Sequence, residues 1–300
     1  MYEQQITVLG LGAMGSALAL SFLKVSLKTH VWNRTVDRPG VRKVVEHGGK
    51  FKETIASALE ASSLIVICLY DYYSIYAALA NTFEQAFRSK TIVNLTNGTP
   101  SEARAMSSWM HGRGVSHYFD GGIMNTPEQV GTPYAFAFIS GEDEKAFDKI
   151  SRPLNSIGRL DYLGLEPGAA GLYDSALLAG MYGLFGGTLS AIALLRSQPS
   201  NDSSKAPTSK VVADKLIPML QALLPSLVET AEYFDKQDWR GHTANIGIQE
   251  GGLRNVLATC QAEEVDSRLL RAHHELLVRA LMEGREMEGM AGLVRDLVKK

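Results

Sequence analysis

The chain has 300 residues, of which 45% are hydrophobic, enough to bury one large core or two smaller ones. Its 30 basic and 32 acidic side chains leave a net charge of −2, and neither sign is concentrated in one segment. We therefore predict no nucleic-acid binding and no polybasic contact with a membrane. The two cysteines, Cys68 and Cys260, are too few for a disulfide framework, and no cluster of cysteines and histidines has metal-site spacing.

Short apolar segments alternate with helical patterns through the first half of the chain. The first of them begins close to the N-terminus, which leaves no room for a signal peptide and favours a cytoplasmic location. The predicted strands are Ile6–Leu9, Thr29–Trp32, Leu64–Leu69, Thr91–Leu95, Ser116–Phe119, Tyr134–Ile139 and Leu160–Leu163. Helical patterns between them include Ala13–Lys24 and Val41–His47. This alternation predicts a parallel, doubly wound, Rossmann-like α/β sheet with helices on both faces over residues 1–165.

The strand signal disappears after Pro167, and helical periodicity replaces it. The predicted helices are Gly168–Arg196, Val211–Lys236, Gln249–Ala262, Ser267–Glu283 and Ala291–Lys299. The first would be roughly 40 Å long, so we predict an interdomain helix over residues 166–196. It would join the Rossmann-like domain to an all-α domain over residues 197–300. The serine-rich stretch Ser197–Ser209 predicts a surface loop.

One part of the long helix, Ser175–Leu195, carries no charged side chain and is long enough to span a membrane. We instead expect a buried helix and no membrane span, because glycines in its middle favour close packing against neighbouring helices. These glycines are Gly180, Gly183, Gly186 and Gly187. A helix that is apolar on every side must be buried on every side by other parts of the protein.

The segment Gly10-Leu11-Gly12-Ala13-Met14-Gly15 lies between the first predicted strand and the first predicted helix. It has the GxGxxG spacing in the context that gives this motif its meaning, so we predict that it binds a dinucleotide. Gly10 permits a tight turn, Gly12 lets the backbone approach the pyrophosphate, and Gly15 lets helix and strand pack closely. The helix N-terminus offers N–H groups to the phosphates. A glycine-rich turn without a ligand is the alternative.

The turn after the second predicted strand, Asn33-Arg34-Thr35, distinguishes the two nicotinamide cofactors. An NAD site usually has Asp or Glu here, to bind the ribose 2′-hydroxyl. Arg34, with Arg38 nearby, can instead stack on the adenine or bind a 2′-phosphate, and Asn33 and Thr35 can add hydrogen bonds. Ordinary surface arginines on a solvated turn are the alternative. The pattern favours NADPH/NADP+ as the cofactor.

Two further strand ends should border the same groove, because ligands of open α/β sheets bind at the carboxyl ends of the strands. One is Cys68-Leu69-Tyr70, and the other leads into Asn97. The amide of Asn97 can donate and accept hydrogen bonds near the nicotinamide. Helix capping or turn formation before Pro100 is the alternative role of Asn97.

Asp174 lies near the start of the long helix, just before its uncharged part. A carboxylate in the first turn of a helix stabilises it by under about 1 kcal/mol, and that is one possible role. If the helix starts near Gly168, however, Asp174 lies inside it beside apolar residues, where its pKa should rise and a nearby cation should be favoured. Tyr182, two turns further on, can border the same cleft or be an interface aromatic with its hydroxyl in water.

These segments resemble the imine reductases, and most closely the fungal reductive aminases, of the β-hydroxyacid dehydrogenase superfamily. The resemblance extends over nearly the whole chain. The segments that carry it are Gly10–Gly15, Val31–Thr35, Thr91–Pro100, Gly121–Met124 and Leu172–Phe185. It implies NADPH-dependent reduction of imines and iminium ions to amines, including reductive amination of ketones or aldehydes with small amines.

The hydroxyacid dehydrogenases of that superfamily carry a catalytic lysine where this sequence has Asp174, and an asparagine where it has Leu177. A cation supports the negative charge that develops on oxygen during alcohol oxidation, whereas an anion stabilises an iminium that accepts hydride. Chemistry on carbon–nitrogen bonds is therefore favoured over a β-hydroxyacid dehydrogenase. A non-enzymatic NADPH-binding scaffold is the second alternative.

The resemblance also implies roles for individual residues. Asp174 would bind the substrate nitrogen and assist proton transfer, Tyr182 would orient the substrate or relay a proton, and Asn97 would position the reacting carbon. The residues implied to line a cleft for carbonyl, amine or imine substrates are Met124, Met219 and Gln249. A homodimer with interlocked helical domains is implied as well, and it would supply the cover that the long helix needs.

Overall fold

The computed structural model describes residues 5–197, 206–240 and 244–298. The chain forms two compact units, Met1–Ala179 and Gly180–Lys300, and the boundary between them falls within a helix. Most of the predicted loop Ser197–Ser209 lies outside the described residues, as does the end of the last predicted helix.

The first unit is built on one eight-stranded sheet. Its strands are β1 (Gln5–Leu9), β2 (Lys28–Trp32), β3 (Lys50–Phe51), β4 (Leu64–Ile67), β5 (Thr91–Asn94), β6 (His117–Ile123), β7 (Phe136–Ser140) and β8 (Arg159–Tyr162). They lie in the order β3-β2-β1-β4-β5-β6-β7-β8. The predicted Rossmann-like fold is confirmed, and each of the seven predicted strands is present with shifted ends.

Two details of the sheet differ from the prediction. The strand β3 was not predicted, because two residues are too few to show an alternating pattern. The prediction of an entirely parallel sheet is wrong at one place, since β7 runs antiparallel to β6. The connection between these two strands contains only the short 3₁₀ turn Pro127–Gln129, whereas a parallel pair needs a longer crossover.

Helices cover both faces of this sheet. They are α1 (Ala13–Lys24), α2 (Pro39–Glu46), α3 (Ile55–Glu60), α4 (Tyr72–Leu79), α5 (Pro100–Gly112) and α6 (Glu144–Leu154). Successive strand residues point to opposite faces, so Val8 packs in one core with Phe22 of α1, and Leu9 packs in the other with Ile75 of α4. The helices α1, α2 and α6 border the first core, and α3, α4 and α5 border the second.

The rest of the described chain is helical. The elements are α7 (Ala169–Ser197), α8 (Thr208–Val211), a π-helical turn over Val212–Leu216, α9 (Ile217–Asp235), α10 (Ile246–Ala262), α11 (Arg268–Met282) and α12 (Ala291–Leu297). The helix α7 starts in the first unit and continues into the second. A small core joins Ile246 of α10, Leu277 and Ala280 of α11, and Leu293 of α12. The predicted all-α C-terminal region is confirmed.

Two helical stretches, Ala169–Ser197 and Thr208–Asp235, are long and apolar enough to cross a membrane. Length and composition are weak evidence for a span, because apolar helices of soluble proteins meet the same criteria. The expectation that the long helix is buried through its glycines is wrong for the single chain. A Cβ added at Gly180, Gly183, Gly186 or Gly187 would meet nothing of the described chain within 4 Å. The described helices α10 and α11 pack on each other, and α9 packs on α12.

Candidate active site

The glycine-rich turn connects β1 to α1. Gly10 has a φ of 101°, and a Cβ there would lie 2.2 Å from the carbonyl oxygen of Cys68. A Cβ at Gly15 would lie 2.0 Å from the carbonyl oxygen of Gly10. Gly12 differs from both, because a Cβ there would meet nothing of the described chain within 4 Å. The backbone itself therefore requires glycine at positions 10 and 15, whereas Gly12 faces open space.

The N-terminus of α1 is suited to an anion. Its N-cap is Gly12, which supplies no side-chain hydrogen bond, and the first turn contains no acidic side chain. The N–H groups of a first helical turn have no acceptor within the helix, and the helix dipole places partial positive charge there. These groups are the ones that bind pyrophosphate in dinucleotide-binding folds.

A cleft of about 510 Å³ opens in front of this turn, at the carboxyl ends of β1, β2 and β4. Its lining residues are Gly10, Gly12, Ala13, Met14, Gly15, Trp32, Asn33, Arg34, Thr35, Arg38, Cys68, Leu69, Tyr70, Ser74, Ala77 and Ala78. All the predicted cofactor residues except Leu11 and Asn97 are therefore brought together in one place. The sequence indicated Tyr70 as part of a strand end that borders this groove, whereas the three residues of α4, Ser74, Ala77 and Ala78, were not predicted. The start of α4 directly after β4 was the signal that pointed to them.

Leu11 does not line this cleft. Its side chain is buried in the core, and its backbone N–H donates to Oδ1 of Asn33 over 2.9 Å. The amide of Asn33 also donates from Nδ2 to the carbonyl oxygen of Thr35 over 2.7 Å. Asn33 thus ties the glycine-rich turn to the turn that carries Arg34, so its side chain orders the cleft as well as lining it.

The charges on the turn after β2 favour an anion. Arg34 and Arg38 both lie on the lining of the cleft. The nearest carboxylate in sequence, Asp37, lies 3.9 Å from the guanidinium of Arg42, which compensates part of its charge. Both partners of this pair are largely exposed, so it stabilises the fold little.

Cys68 supplies a wall of the cleft and not a nucleophile. Burial raises the pKa of its thiol to about 12. The thiolate is the reactive form, and it is not populated near neutral pH at such a pKa. The chemistry of this site must therefore come from other side chains.

Asp174 is buried, with 3% of its surface exposed, in the second turn of α7. The Nδ2 of Asn97 donates to its Oδ2 over 2.6 Å. Burial raises the pKa of Asp174, and the hydrogen bond from Asn97 partly opposes that rise. The predicted direction of the shift is confirmed. A role in stabilising the helix start is not supported, because such an effect is confined to the first turn.

Close backbone contacts hold this pair together. A Cβ at Gly122 of β6 would lie 2.8 Å from the Cβ of Asp174, so glycine is needed for α7 to approach the sheet here. Asn97 lies in the loop between β5 and α5. The N-cap of α5 is Thr99, whose side chain accepts from the N–H of Glu102. Helix capping is therefore not the role of Asn97.

The other predicted site residues are found in separate surroundings. Met124 follows β6, is half-buried, and donates its N–H to the carbonyl oxygen of Phe136 over 3.0 Å. Tyr182, Met219 and Gln249 belong to the second unit. Tyr182 and Met219 are exposed, and Gln249 is half-buried in α10. Among the residues that the structure describes, no group of three or more His, Cys, Asp or Glu side chains could hold a metal ion.

Two families of known proteins match the chain in adjacent segments. Residues 5–164 match the NAD binding domain of 6-phosphogluconate dehydrogenase. Residues 166–299 match the C-terminal domain described as NADPH-dependent reductive aminase-like. Together the two matches cover nearly all of the described chain.

Individual proteins match over the full length as well. The NADPH-dependent reductive aminase of Aspergillus oryzae is 38% identical over 97% of this chain and 96% of its own. The structure of a reductive aminase from Aspergillus terreus with NADPH4, cyclohexanone and allyl amine has 36% identity and a TM-score of 0.90, covering 99% of this chain and 100% of that one. An imine reductase from Aspergillus terreus with NADPH4 and dibenz[c,e]azepine has 36% identity and a TM-score of 0.87, covering 98% and 99%.

Proposed function

The chain belongs to the NADPH-dependent reductive aminase family, and we propose that its buried Asp174–Asn97 pair carries the chemistry of that family. It is an NADPH-dependent oxidoreductase that reduces imines and iminium ions to amines. Its substrates are a small ketone or aldehyde together with a small amine, or the imine that the two form. The single observation that supports the residue assignment is a buried carboxylate at a position where carbon–oxygen chemistry would need a cation.

The residues of the cleft fit NADPH. The open face of Gly12 and the N–H groups at the start of α1 would hold the pyrophosphate. Arg34 and Arg38 would bind the 2′-phosphate, with Thr35 beside them. When bound, NADPH supplies a hydride.

The proposed catalytic pair adjoins this cleft. The N–H of Leu69, which lines the cleft, donates to Oγ1 of Thr96 over 3.1 Å. Asn97 is the next residue, and it holds Asp174. Since Leu69 and Asn97 follow neighbouring parallel strands, a hydride donor bound in the cleft and a substrate at Asp174 would share one edge of the sheet.

The carboxyl group of Asp174 would both donate a proton to the substrate nitrogen and stabilise the positive charge that results. With its pKa raised, it can give a proton to the nitrogen of a neutral imine and remain as a carboxylate beside the resulting iminium. That negative charge would stabilise the iminium until hydride addition to carbon leaves a neutral amine. Asn97 occupies Oδ2, which leaves Oδ1 for the substrate N–H. A proton from water would then restore the carboxyl group.

Residues of the second unit, together with Met124 of the first, would complete the enzyme. Tyr182 would orient the substrate or relay a proton, and the residues proposed to shape the substrate cleft are Met124, Met219 and Gln249. We propose a homodimer with interlocked helical domains, a cytoplasmic location and no membrane span. In support, Leu227 and Val228 of α9 are more than half exposed in the single chain, as is Leu189 of α7. Apolar surface in water costs about 25 cal/mol per Å², and a second copy would cover it.

The proposed boundaries would divide the enzyme by task. Residues 1–165 would bind NADPH, residues 166–196 would form the interdomain helix, and residues 197–300 would form the dimerisation and substrate domain. The matched families meet between residues 164 and 166, which supports the first of these boundaries.

The decisive test measures NADPH oxidation by the purified chain with cyclohexanone and allyl amine near equal concentrations. We expect oxidation when both are present, with the secondary amine identified by mass spectrometry, and little with either compound alone. A preformed cyclic imine should also be reduced. Oxidation of small hydroxyacids with NADP+, in the absence of any imine reduction, would contradict the proposal.

A further inference from the structure

A second buried carboxylate lies on β6, two residues before the glycine that packs against Asp174. Asp120 of β6 is 2% exposed. The hydroxyl of Tyr118 donates to its Oδ2 over 2.6 Å, and the hydroxyl of Tyr72 donates to the same oxygen over 2.7 Å. The Nδ2 of Asn94 donates to it as well, over 3.1 Å. All four side chains are buried, and the predicted chemistry uses none of them.

This arrangement suits the ionised form of Asp120. An ionised carboxylate only accepts hydrogen bonds, and the surrounding groups are arranged as donors. Burial raises the pKa of Asp120 to about 6, and the hydrogen bonds from Tyr118 and Tyr72 oppose the rise. The carboxyl is therefore mostly ionised at neutral pH. Protonation below about pH 6 would oblige one of the donors to turn away.

The groups that face Asp120 come from three elements. They are Tyr72 of α4, Asn94 of β5 and Tyr118 of β6. Burial, followed by the nearby charge of Asp120, raises the pKa of both tyrosines, so their hydroxyls stay neutral donors. Glu102 of α5 adds a further negative charge near Tyr72. Asp120 is thus the group of this set that changes charge near neutral pH.

The same network holds the loop that carries Asn97. The Oδ1 of Asn94 accepts from the backbone N–H of Thr96 over 3.1 Å, on one side of Asn97. On the other side, the ring of Tyr72 packs against Gly98, where a Cβ would lie 2.2 Å from Cε2 of the tyrosine. Two groups that bind Asp120 therefore hold both neighbours of Asn97.

The strand of Asp120 also contacts the other catalytic partner. Gly122, two residues along β6, is the glycine against which Asp174 packs. The register of the sheet places Asn94 beside Asp120, so the ends of β5 and β6 are aligned at the point where Asn97 and Asp174 meet.

We propose that Asp120 is a positioning residue, whose ionised carboxylate holds Tyr72, Tyr118 and Asn94 so that Asn97 meets Asp174 in the reactive geometry. It contacts neither substrate nor cofactor and acts through the loop between β5 and α5. The inference rests on the proposed roles of Asn97 and Asp174. It predicts an acid limb in the pH profile of turnover that belongs to Asp120.

The first test is Asp120→Asn, which keeps the shape of the side chain but removes the charge. We expect kcat for cyclohexanone and allyl amine to fall about 10-fold, because small misplacements of catalytic groups are costly. KM and NADPH affinity should change by less than about 2-fold, and the acid limb near pH 6 should disappear. Thermal unfolding measures whether the variant is folded.

The second test is Tyr118→Phe, which removes one donor and keeps the ring. Since its hydrogen bond opposes the rise in the pKa of Asp120, the acid limb should move to higher pH by about 1 pH unit. Tyr162→Phe is the matched control, because its hydroxyl donates to the carbonyl oxygen of Glu142, away from Asp120. The control should leave the profile in place.

The outcomes separate this inference from the proposed function. If the wild-type chain reduces the imine while both variants keep its kcat and pH profile, the positioning role of Asp120 is wrong and the function stands. A variant that loses turnover only in proportion to lost folded protein, with an unmoved pH profile, also overturns it. An inactive wild-type chain would overturn the function and this inference together.

Discussion

Three glycines of the first unit and the glycines of α7 in the second unit differ in what surrounds them, and we infer from this how each unit would be completed. In the first unit, a Cβ at Gly10, Gly15 or Gly122 would strike atoms of the same chain within 3 Å. In the second unit, a Cβ at Gly183 or Gly186 of α7 would meet nothing of the described chain within 4 Å. The first group serves contacts made inside the chain. The second would serve contacts made with another molecule.

The apolar side chains show the same contrast. The sheet of the first unit is covered on both faces, so residues such as Val8 and Ile65 are fully buried. On α9 of the second unit, Leu223, Leu227 and Val228 remain more than half exposed. A unit with a small core of its own gains much of its stability when another molecule buries its exposed apolar side chains. The sheet of the first unit is therefore covered within one chain, whereas the second unit would be covered by the proposed partner.

The largest effect is expected where the first unit carries the chemistry. Asp174→Asn should lower kcat by about 10²-fold or more, because the neutral amide neither donates the proton nor stabilises the iminium. NADPH affinity, measured by fluorescence titration, should change by less than about 2-fold. Asp148→Asn, on α6, is the surface control. Turnover within about 3-fold of wild type would remove Asp174 from the mechanism.

The contrast between the surfaces is tested by placing a charge on each unit. Leu227→Glu should weaken the dimer by about 10²-fold, because it places a carboxylate in a surface that association would bury. Phe83→Glu alters a residue of the first unit that is 82% exposed, and it should leave the dimer intact. Sedimentation velocity measures both. A monomeric wild-type chain, or a Leu227→Glu dimer of unchanged affinity, would refute the assignment.

The glycine-rich turn allows the role of fold and the role of ligand to be separated. Gly12→Ala should leave the melting temperature nearly unchanged and weaken NADPH binding by about 30-fold, since the added methyl group enters the space kept for phosphate. Gly15→Ala should instead lower the melting temperature, because its Cβ would lie 2.0 Å from the carbonyl oxygen of Gly10. Calorimetry measures the melting temperature of each variant, and titration measures its affinity for NADPH. Equal effects of both variants on stability would contradict this division.

The smallest effect concerns the choice of cofactor. Arg34→Ala should weaken NADPH by about 10-fold and NADH hardly at all, because the guanidinium would bind the 2′-phosphate that NADH lacks. Arg42→Ala is a matched control, since that arginine pairs with Asp37 and does not line the cleft. Affinities for the two cofactors come from fluorescence titration. An equal loss of affinity for NADPH and for NADH would show that Arg34 does not bind the 2′-phosphate.

Local pattern determined much of this protein. Short apolar segments between helical patterns predicted seven strands of the sheet, and the spacing of Gly10, Gly12 and Gly15 predicted the turn that opens the cleft. The sequence alone also indicated Arg34 after β2 and Asp174 as candidate site residues, because both depend on the order of residues along the chain. Such features follow from the periods of strands and helices, which short segments express by themselves.

Long-range packing decided the rest. Asn97 and Asp174, like Tyr72 and Asp120, come from separate segments, and the order of the strands brings them into hydrogen-bond distance. The direction of β7 and the buried side chain of Leu11 were decided in the same way. Whether a carboxylate is desolvated, and so whether it is protonated near neutral pH, depends on which residues from elsewhere in the fold bury it. The apolar residues near Asp174 in the sequence indicated its raised pKa, but no local pattern indicated that Asp120 is buried, because its burial is a property of the packed structure.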